Sequence, residues 1–420
     1  MVESVESVGA ETVPSASAAG AGSRAFQSLA IVNFRYLLGG TAASSFAMWM
    51  EQIGQGWLVA QLTNSPFQLG LVQFIRGISV FAVSPFAGSL SDRVDRRLLA
   101  GVSSMVNGLS ALAVAILIVT GQVAMWHLYI VAFVGGLSSS VYMPVRQFLV
   151  FDAVKREQLP NAIALNAMVN NMARAVGPGI AGFMIGFSLS SAFFGKFVFF
   201  TVATLSLIPM RLQQSEPALR DPVLAAVRRG AAHLLAHRTL LRLTLLQAIP
   251  TLLVYPYLQL VPIMARDYLH TGPQGFGWLQ TGVGIGAIIG GLAVARFADV
   301  RRKGLIMSVA LVAYMSMILA FSFSRAYWLS LLFLITGGVG FVAFTAFNQT
   351  LLQLHVADEY RGRVLSLYTM SQGLNPFGSL MLGTIADRYL DTPHAIAVFV
   401  VAALVLALVS GLASRDIREL

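Results

Sequence analysis

Apolar stretches of about 20 residues follow one another along most of the chain, separated by short polar segments. A helix of that length crosses the hydrocarbon core of a membrane. The pattern predicts twelve such helices between residue 36 and the C-terminus. They are expected over 36–62, 67–91, 98–120, 125–151, 162–187, 192–210, 240–265, 275–298, 304–323, 327–354, 364–386 and 394–414. The sequence therefore predicts an all-α membrane protein with twelve transmembrane helices.

Composition supports this fold class. The chain is 56% hydrophobic and only 11% charged, whereas about 25% charged residues are typical of a soluble domain. It contains no cysteine, so disulfides and thiolate metal sites are excluded and the redox compartment is not indicated. The six histidines lie near loops or span ends without the clustering of metal ligands. No metal and no cofactor is expected.

The net charge of +10 follows the predicted topology and does not indicate nucleic-acid binding. With the N-terminus inside, 20 of the 28 lysines and arginines fall on the cytoplasmic side, which is where membrane proteins concentrate them. Four are expected outside: Lys196, Arg266, Arg325 and Arg388. Four fall within spans: Arg76, Arg146, Arg174 and Arg296. Both termini are therefore expected in the cytoplasm.

Two parts of the sequence occur twice in the same order. The stretch from Gly70 to Asp92 has the same length as the stretch from Gly277 to Asp299, and basic residues follow both. A second alignment, of residues 144–171 with 346–373, gives these pairs: Arg146 with Asn348, Glu157 with Glu359, and Asn170 with Gln372. Such repeats predict two pseudo-symmetric six-helix halves.

The halves are expected at 34–211 and 239–420. The segment between them, 212–238, is polar and basic, and is predicted to be a cytoplasmic loop with an amphipathic helix on the inner leaflet. Residues 1–33 begin with small and polar residues and are predicted to be a disordered cytoplasmic tail.

The densest charge lies in GSLSDRVDRR, residues 88–97, between the second and third predicted spans. Arginines there fix the orientation of the chain, but an acid is not needed for that, and Asp92 recurs as Asp299. The loop resembles the G-x-L-x-D-R-x-G-R-R/K motif of the major facilitator superfamily, with Asp95 where the motif has Gly. That exchange, together with NFRYLLGG, WLVAQLTNSP and NNMARAVGPGIAG, resembles the branch of enterobactin exporters and macrolide efflux proteins.

The resemblance implies the major facilitator fold and a monomer in a bacterial inner membrane. It implies export of an amphipathic organic small molecule, of drug or siderophore class, by alternating access and in exchange for protons. An alternative within the same fold is a flippase for lysophospholipids or other lipids. The resemblance also implies a cytoplasmic gate built from Gly88, Asp92, Arg93, Arg96, Arg97 and Asp299. Arg96 and Arg97 are equally compatible with a role in orientation alone.

Charged residues inside spans should face the protein interior and have partners, because each costs about 2.5 to 3.5 kcal/mol at the centre of a bilayer. Counting along the helices places Glu51 and Arg76 both roughly 24 Å from the cytoplasmic side, so they are expected to pair. Arg174 is expected at roughly 20 Å and Arg146 at roughly 12 Å. Glu51 is then either the protonatable carboxylate of an antiporter or half of a permanent ion pair. The sequence leaves both roles open.

Polar residues at helical spacing form stripes on the first, fifth and eleventh spans. Such stripes either join helices, at about 0.6 kcal/mol per hydrogen bond, or line a cavity. Because two stripes occupy equivalent places in the two halves, a shared substrate cavity is favoured. Its predicted lining is Gln52, Gln55, Asn166, Asn170, Asn348, Tyr368, Gln372 and Asn375.

The fifth span also contains ARAVGPGIAG, in which Gly177, Pro178, Gly179 and Gly182 are predicted to form a helix-packing motif. Small residues let helices approach closely, and a proline loosens the helix. The segment resembles the G-P-x-x-G signature of antiporters in the superfamily.

The chain is not expected to be an enzyme. The sequence has no HExxH, no Gly-x-Ser-x-Gly and no P-loop, so neither hydrolytic chemistry nor nucleotide hydrolysis is indicated. The expected partners are a small-molecule substrate, protons and membrane lipid.

Overall fold

The structure is a computed structural model that describes residues 27–210, 231–297, 300–412, 414–418 and 420, without the side chains of 85–89, 91–93, 415 and 418. All regular secondary structure in these ranges is helical. The first part contains α1 (Val32–Thr63), α2 (Pro66–Arg93), α3 (Arg96–Val119), α4 (Met125–Ala153), α5 (Leu159–Phe187) and α6 (Leu189–Leu207). The second contains α7 (Arg238–Leu253), α8 (Tyr257–Ile263), α9 (Pro273–Arg296), α10 (Lys303–Phe323), α11 (Tyr327–His355), α12 (Arg361–Met370), α13 (Asn375–Arg388), α14 (Thr392–Val409) and α15 (Arg415–Arg418).

The all-α membrane fold is confirmed, whereas the number twelve stays a prediction. Nine segments of the described chain are long and apolar enough to cross a membrane. The predicted spans outside this set lie on α1, α5 and the pair α12–α13. α1 and α5 carry predicted polar stripes, and polar side chains lower the hydropathy of a helix. The helices α12 and α13 are each shorter than 18 residues, because the span is interrupted between them.

Two predicted spans are interrupted helices. The span at 240–265 consists of α7 and α8, separated by a turn that ends at Pro256. The span at 364–386 consists of α12 and α13, joined by the 3-10 turn Ser371–Leu374, which Pro376 follows in the first turn of α13. Proline lacks the backbone donor of a continuous helix and clashes with the preceding turn. The breaks therefore follow from the sequence.

Helices that the repeat alignment relates make related contacts. In the first half α4 packs on α2 and α3, and in the second half α11 packs on α9 and α10. Likewise α6 packs on α1 and α3, and α14 packs on α7 and α10. At the N-terminus, Gln27–Ala30 is a 3-10 helix in which the backbone N–H of Ser28 donates to Asn161 of α5 at 3.1 Å. The boundaries of the tail, the halves and the linker stay predictions. Residues 1–26 and 211–230, which hold most of the predicted tail and linker, lie outside the described residues.

The halves meet mainly through α2 with α13 and through α5 with α9. The contacts concentrate toward the predicted outer end, where α2 begins and α5 ends. There Ser65 Oγ donates to Asp387 Oδ1 at 2.7 Å, and the Arg266 guanidinium donates to the backbone carbonyl of Ala60. A cavity lies between the halves on the cytoplasmic side of these contacts.

Candidate functional site: a charged cavity between the halves

A buried carboxylate between two cations lies behind one wall of the cavity. Glu51, in the middle of α1, is 2% exposed. Its Oε2 lies 3.2 Å from Arg76 Nη2 of α2, and its Oε1 lies 2.9 Å from Lys196 Nζ of α6. The structure therefore brings Glu51 and Arg76 together at the common depth that counting along the helices gives. A carboxylate held by two cations is strongly favoured in its charged form.

The position predicted for Lys196 from the sequence is wrong. It was expected on the outer side, but it lies inside α6 with only 1% of its surface exposed. The span was predicted to begin at residue 192, whereas the helix begins at Leu189. That shift places the lysine about two turns into the helix. A lone lysine in an apolar span needs an internal partner, and this signal was available in the sequence.

The cavity has a volume of about 500 Å³, within the range of ligand pockets in proteins. Its walls come from α1, α2, α4 and α5, with one contribution from the second half. Three arginines line it: Arg76, Arg146 and Arg174. Seven amides line it with them: Gln52, Gln55, Gln73, Gln147, Asn166, Asn170 and Gln259. None of the described residues that line the cavity is an aspartate or a glutamate.

Arg146 of α4 is held by neutral groups alone. Its Nη2 donates to Asn170 Oδ1 at 2.6 Å and its Nη1 donates to Ser44 Oγ at 3.4 Å. Asn170 Oδ1 also accepts from Ser45 Oγ at 2.7 Å, so one amide oxygen joins α1, α4 and α5. Arg146 is 7% exposed, and no described carboxylate lies within ion-pair distance of it.

The second-half residues differ from the expectation of a shared cavity. Asn348 is fully buried and donates to the backbone carbonyl of Leu243 at 3.1 Å. The Tyr368 hydroxyl donates to Gln247 Oε1 at 2.9 Å. Gln372 is exposed and Asn375 accepts from Ser379, but neither lines the cavity. Asn348 and Tyr368 thus join helices to α7, whereas Asn375 bonds within its own helix, and the sequence pattern alone could not separate these roles from lining.

The predicted cytoplasmic gate is described only in part. The side chains of Gly88, Asp92 and Arg93, and the whole of Asp299, lie outside the described residues. Arg96 forms a buried ion pair with Asp152 of α4 at 2.9 Å, and Arg97 pairs with Asp95 at 3.0 Å and donates to the Met210 carbonyl. All these partners belong to the first half. Arg96 and Arg97 therefore hold the first half together, and neither forms an ion pair or hydrogen bond with a described residue of the second half.

Asp95, which replaces the glycine of the superfamily motif, has a local role. It caps α3 by accepting from the backbone N–H of Arg97 at 2.8 Å. The bond from the Arg97 side chain also lowers the pKa of the Asp95 carboxyl below its ordinary value. The exchange of Gly for Asp thus builds a cap and an ion pair in one place.

The predicted packing motif lies at two close helix contacts. A Cβ at Gly177 would stand 2.9 Å from the Trp49 Cβ of α1, and one at Gly182 would stand 2.6 Å from the Pro273 carbonyl of α9. Gly277 faces Gly182 from the other half, and a Cβ there would stand 2.6 Å from the Pro178 carbonyl. Only residues without a side chain permit this approach between the halves. Gly179 faces Thr281 Oγ1 across the same contact.

Residues 23–418 match the family described as transmembrane secretion effectors. The chain belongs to this family of the major facilitator superfamily. It is 24% identical to the staphyloferrin A transporter of Staphylococcus aureus, over 83% of this chain and 89% of that one. It is 20% identical to macrolide efflux protein A of Streptococcus pyogenes, over 85% and 90%. It is 22% identical to the enterobactin exporter of Escherichia coli, over 77% and 78%.

The fold agrees with this membership. A bacterial homologue of the lysosomal transporter Spinster, solved in an inward-facing and occupied conformation, superposes with a TM-score of 0.72 at 12% identity, over 92% of this chain and 97% of that one. The expected resemblance to the exporter branch is confirmed. The protein is a multi-pass membrane transporter of the superfamily, and its relatives handle small molecules.

Sequence reasoning missed four lining or supporting residues: Lys196, Gln73, Gln147 and Gln259. Gln73 precedes Arg76 by about one helical turn, so it was within reach of the stripe argument, whereas Gln147 adjoins Arg146 in sequence and spacing does not place the two on one face. Gln259 lies in α8 just after the helix break, and the break brings it to the cavity.

Proposed function

We propose that the protein is a secondary exporter that carries an amphipathic organic molecule, of drug or siderophore class, across a bacterial inner membrane by alternating access. The observation that carries this proposal is a cavity of about 500 Å³ between two helical halves, closed on the predicted outer side by glycine-mediated contacts. The relatives named as exporters and efflux proteins support the direction. The proposal includes a monomer with both termini in the cytoplasm.

The driving force that we propose is inward proton movement. Glu51 is the first carboxylate to test as the proton carrier, because it pairs with Arg76, which lines the cavity. The three arginines and seven amides of the lining give no support to a lysophospholipid flippase. Proteoliposomes with an imposed pH gradient, offered a siderophore, a macrolide, a cationic dye and a lysolipid in turn, would show which compound moves protons. Proton movement with the lysolipid alone would overturn the proposed exporter and indicate a lipid flippase.

A cross-link tests alternating access directly. The chain has no cysteine, so paired cysteines can be introduced without removing any. Ser65 and Asp387 contact each other across the outer side at 2.7 Å. Ser65→Cys combined with Asp387→Cys is expected to stop transport on oxidation and to regain it on reduction. The two single variants are the controls. Full transport by the oxidised, cross-linked protein would overturn the proposed cycle.

A further inference from the structure

The cavity carries more positive than negative charge. Three arginines line it, Arg76, Arg146 and Arg174. Glu51 and Lys196 lie buried behind Arg76, and both oxygens of Glu51 are engaged by these two cations. Four cations thus share one carboxylate, and no described carboxylate lines the space or pairs with Arg146 or Arg174, so three positive charges have no fixed counter-charge among the described residues.

Uncompensated charge in the membrane interior is unfavourable, and proteins retain it where it has a task. Arg146 is the clearest case, since it is nearly buried and contacts only an amide and a hydroxyl. Arg174 is exposed to the cavity without any carboxylate partner among the described residues. Both guanidinium groups have donors left for a ligand.

Guanidinium groups suit one ligand chemistry. Their planar array of donors matches the two oxygens of a carboxylate or the oxygens of a phosphate, and such charge-assisted bonds are shorter and stronger than neutral ones. The amides beside them can donate to further oxygens of the same ligand. A cationic ligand would meet three uncompensated positive charges and no free carboxylate.

We infer that the transported molecule is an organic polyanion, with at least two carboxylate or phosphate groups bound by Arg146, Arg174 and Arg76. The inference rests on the proposed function and narrows its substrate class. The apolar parts of the molecule would lie against Met48, Trp49 and Met143, which line the same space. Cationic dyes and macrolides with a protonated amine are therefore expected to be poor ligands.

Equilibrium binding tests this without requiring transport. The whole protein is placed in nanodiscs of neutral lipid, and binding is followed by calorimetry with citrate, its uncharged trimethyl ester, pyrophosphate and a cationic rhodamine. Citrate or pyrophosphate should bind, more weakly as salt is raised because salt screens charge, and the ester should not. Comparing the affinities for citrate and pyrophosphate shows whether the site prefers carboxylate or phosphate groups.

Variants assign the effect to the arginines. Arg174→Gln and Arg146→Gln should each weaken anion binding about 10- to 100-fold, the range for a lost hydrogen bond between charged groups. Arg35→Gln, at the exposed start of α1, is the matched control and should bind as the parent does. Arg174 lines the cavity and forms no hydrogen bond or ion pair with any described residue, so its variant keeps the test usable if Arg146→Gln does not fold.

The outcomes separate this inference from the proposed function. Rhodamine binding in the absence of binding by either anion would overturn the inference, as would unchanged anion binding in both arginine variants. Export of a cationic dye by proteoliposomes would support the proposed exporter and would contradict the inference that its substrate is a polyanion. Specific anion binding by a protein that transports nothing would support the polyanion and overturn the exporter.

Discussion

The two halves share a helical plan but differ in the charge of their interiors. In the first half, Arg76 and Arg146 face a polar cavity, and Glu51 and Lys196 are paired behind its wall. The repeat alignment places Asn348 opposite Arg146, and the offset of the first repeat places Val283 opposite Arg76. Buried tyrosines, Tyr257, Tyr314 and Tyr368, occupy the second interior.

The difference in charge indicates that the two halves have different roles. Charged groups in a membrane are costly and are retained where they act on a ligand or an ion. Neutral hydrogen bonds such as that between Tyr368 and Gln247 join helices at modest cost. We therefore interpret the first half as the part that recognises the transported molecule and the second half as the part that moves against it.

The largest effect is expected from breaking the buried charges of the first half. Lys196→Met leaves Glu51, which is 2% exposed, with Arg76 as its remaining partner. Removing one partner of a buried ion pair costs about 3 to 5 kcal/mol. We expect a marked fall in the thermal midpoint, followed through the fluorescence of the five tryptophans.

A double variant separates charge from packing. Lys196→Met combined with Glu51→Gln removes the unpaired carboxylate as well as the lysine. It should recover part of the loss, because replacing both members of a buried pair is often nearly neutral. If Lys196→Met had the same thermal midpoint as the control Arg35→Gln, the ion pair between Lys196 and Glu51 would not contribute to stability.

The contact between the halves should show the next largest effect. Gly277→Ala adds a Cβ 2.6 Å from the Pro178 carbonyl, whereas Gly291→Ala, on the same helix, adds one with no atom within 4 Å. Overpacking costs about 1 to 3 kcal/mol, which shifts a two-state equilibrium roughly tenfold or more. We expect Gly277→Ala to open the outer side and slow transport.

Labelling measures that opening. In a background with Ser65→Cys, an impermeant maleimide added from outside should react faster when Gly277→Ala is present. The matched Gly291→Ala protein should react as the parent does. Equal labelling of both, with equal transport, would mean that this glycine pair does not control the closed state.

The expected effects on the second half are smaller and of a different kind. Asn348→Leu removes the hydrogen bond to the Leu243 carbonyl, which should cost about 1 kcal/mol of stability. Because Asn348 does not line the cavity, substrate affinity should stay within about twofold of the parent value. Its repeat partner Arg146 should show the reverse, with a loss of binding in Arg146→Gln. A strong loss of substrate affinity in Asn348→Leu would contradict the interpretation that only the first half recognises the transported molecule.

Much of this arrangement could be predicted from the sequence. Helix periodicity and rise placed Glu51 and Arg76 at one depth, and the stripes on the first and fifth spans identified four of the amides that line the cavity. Neither argument gives helix rotation or the positions of breaks. Gln259 reaches the cavity because Pro256 interrupts its span, and Asn348 is turned toward α7, which spacing alone does not specify. Lys196 was assigned to the outer side because it lay only four residues inside the predicted span 192–210, whereas the helix begins three residues earlier and carries it deeper.

The smallest effect is expected from Glu51→Gln on proton coupling, and it decides between two roles. A proton on Glu51 would weaken its hold on Arg76 and add positive charge to the wall, so a proton and an anion would favour each other's binding. Exchange requires the opposite, since the two must compete. If the transported molecule is a polyanion, Glu51 is therefore a permanent structural partner and the exchanged proton travels on another group.

Substrate-dependent proton movement should then persist in Glu51→Gln proteoliposomes, at a lower rate because Arg76 is less well held. Its disappearance would assign the proton to Glu51 and point to a neutral or cationic substrate.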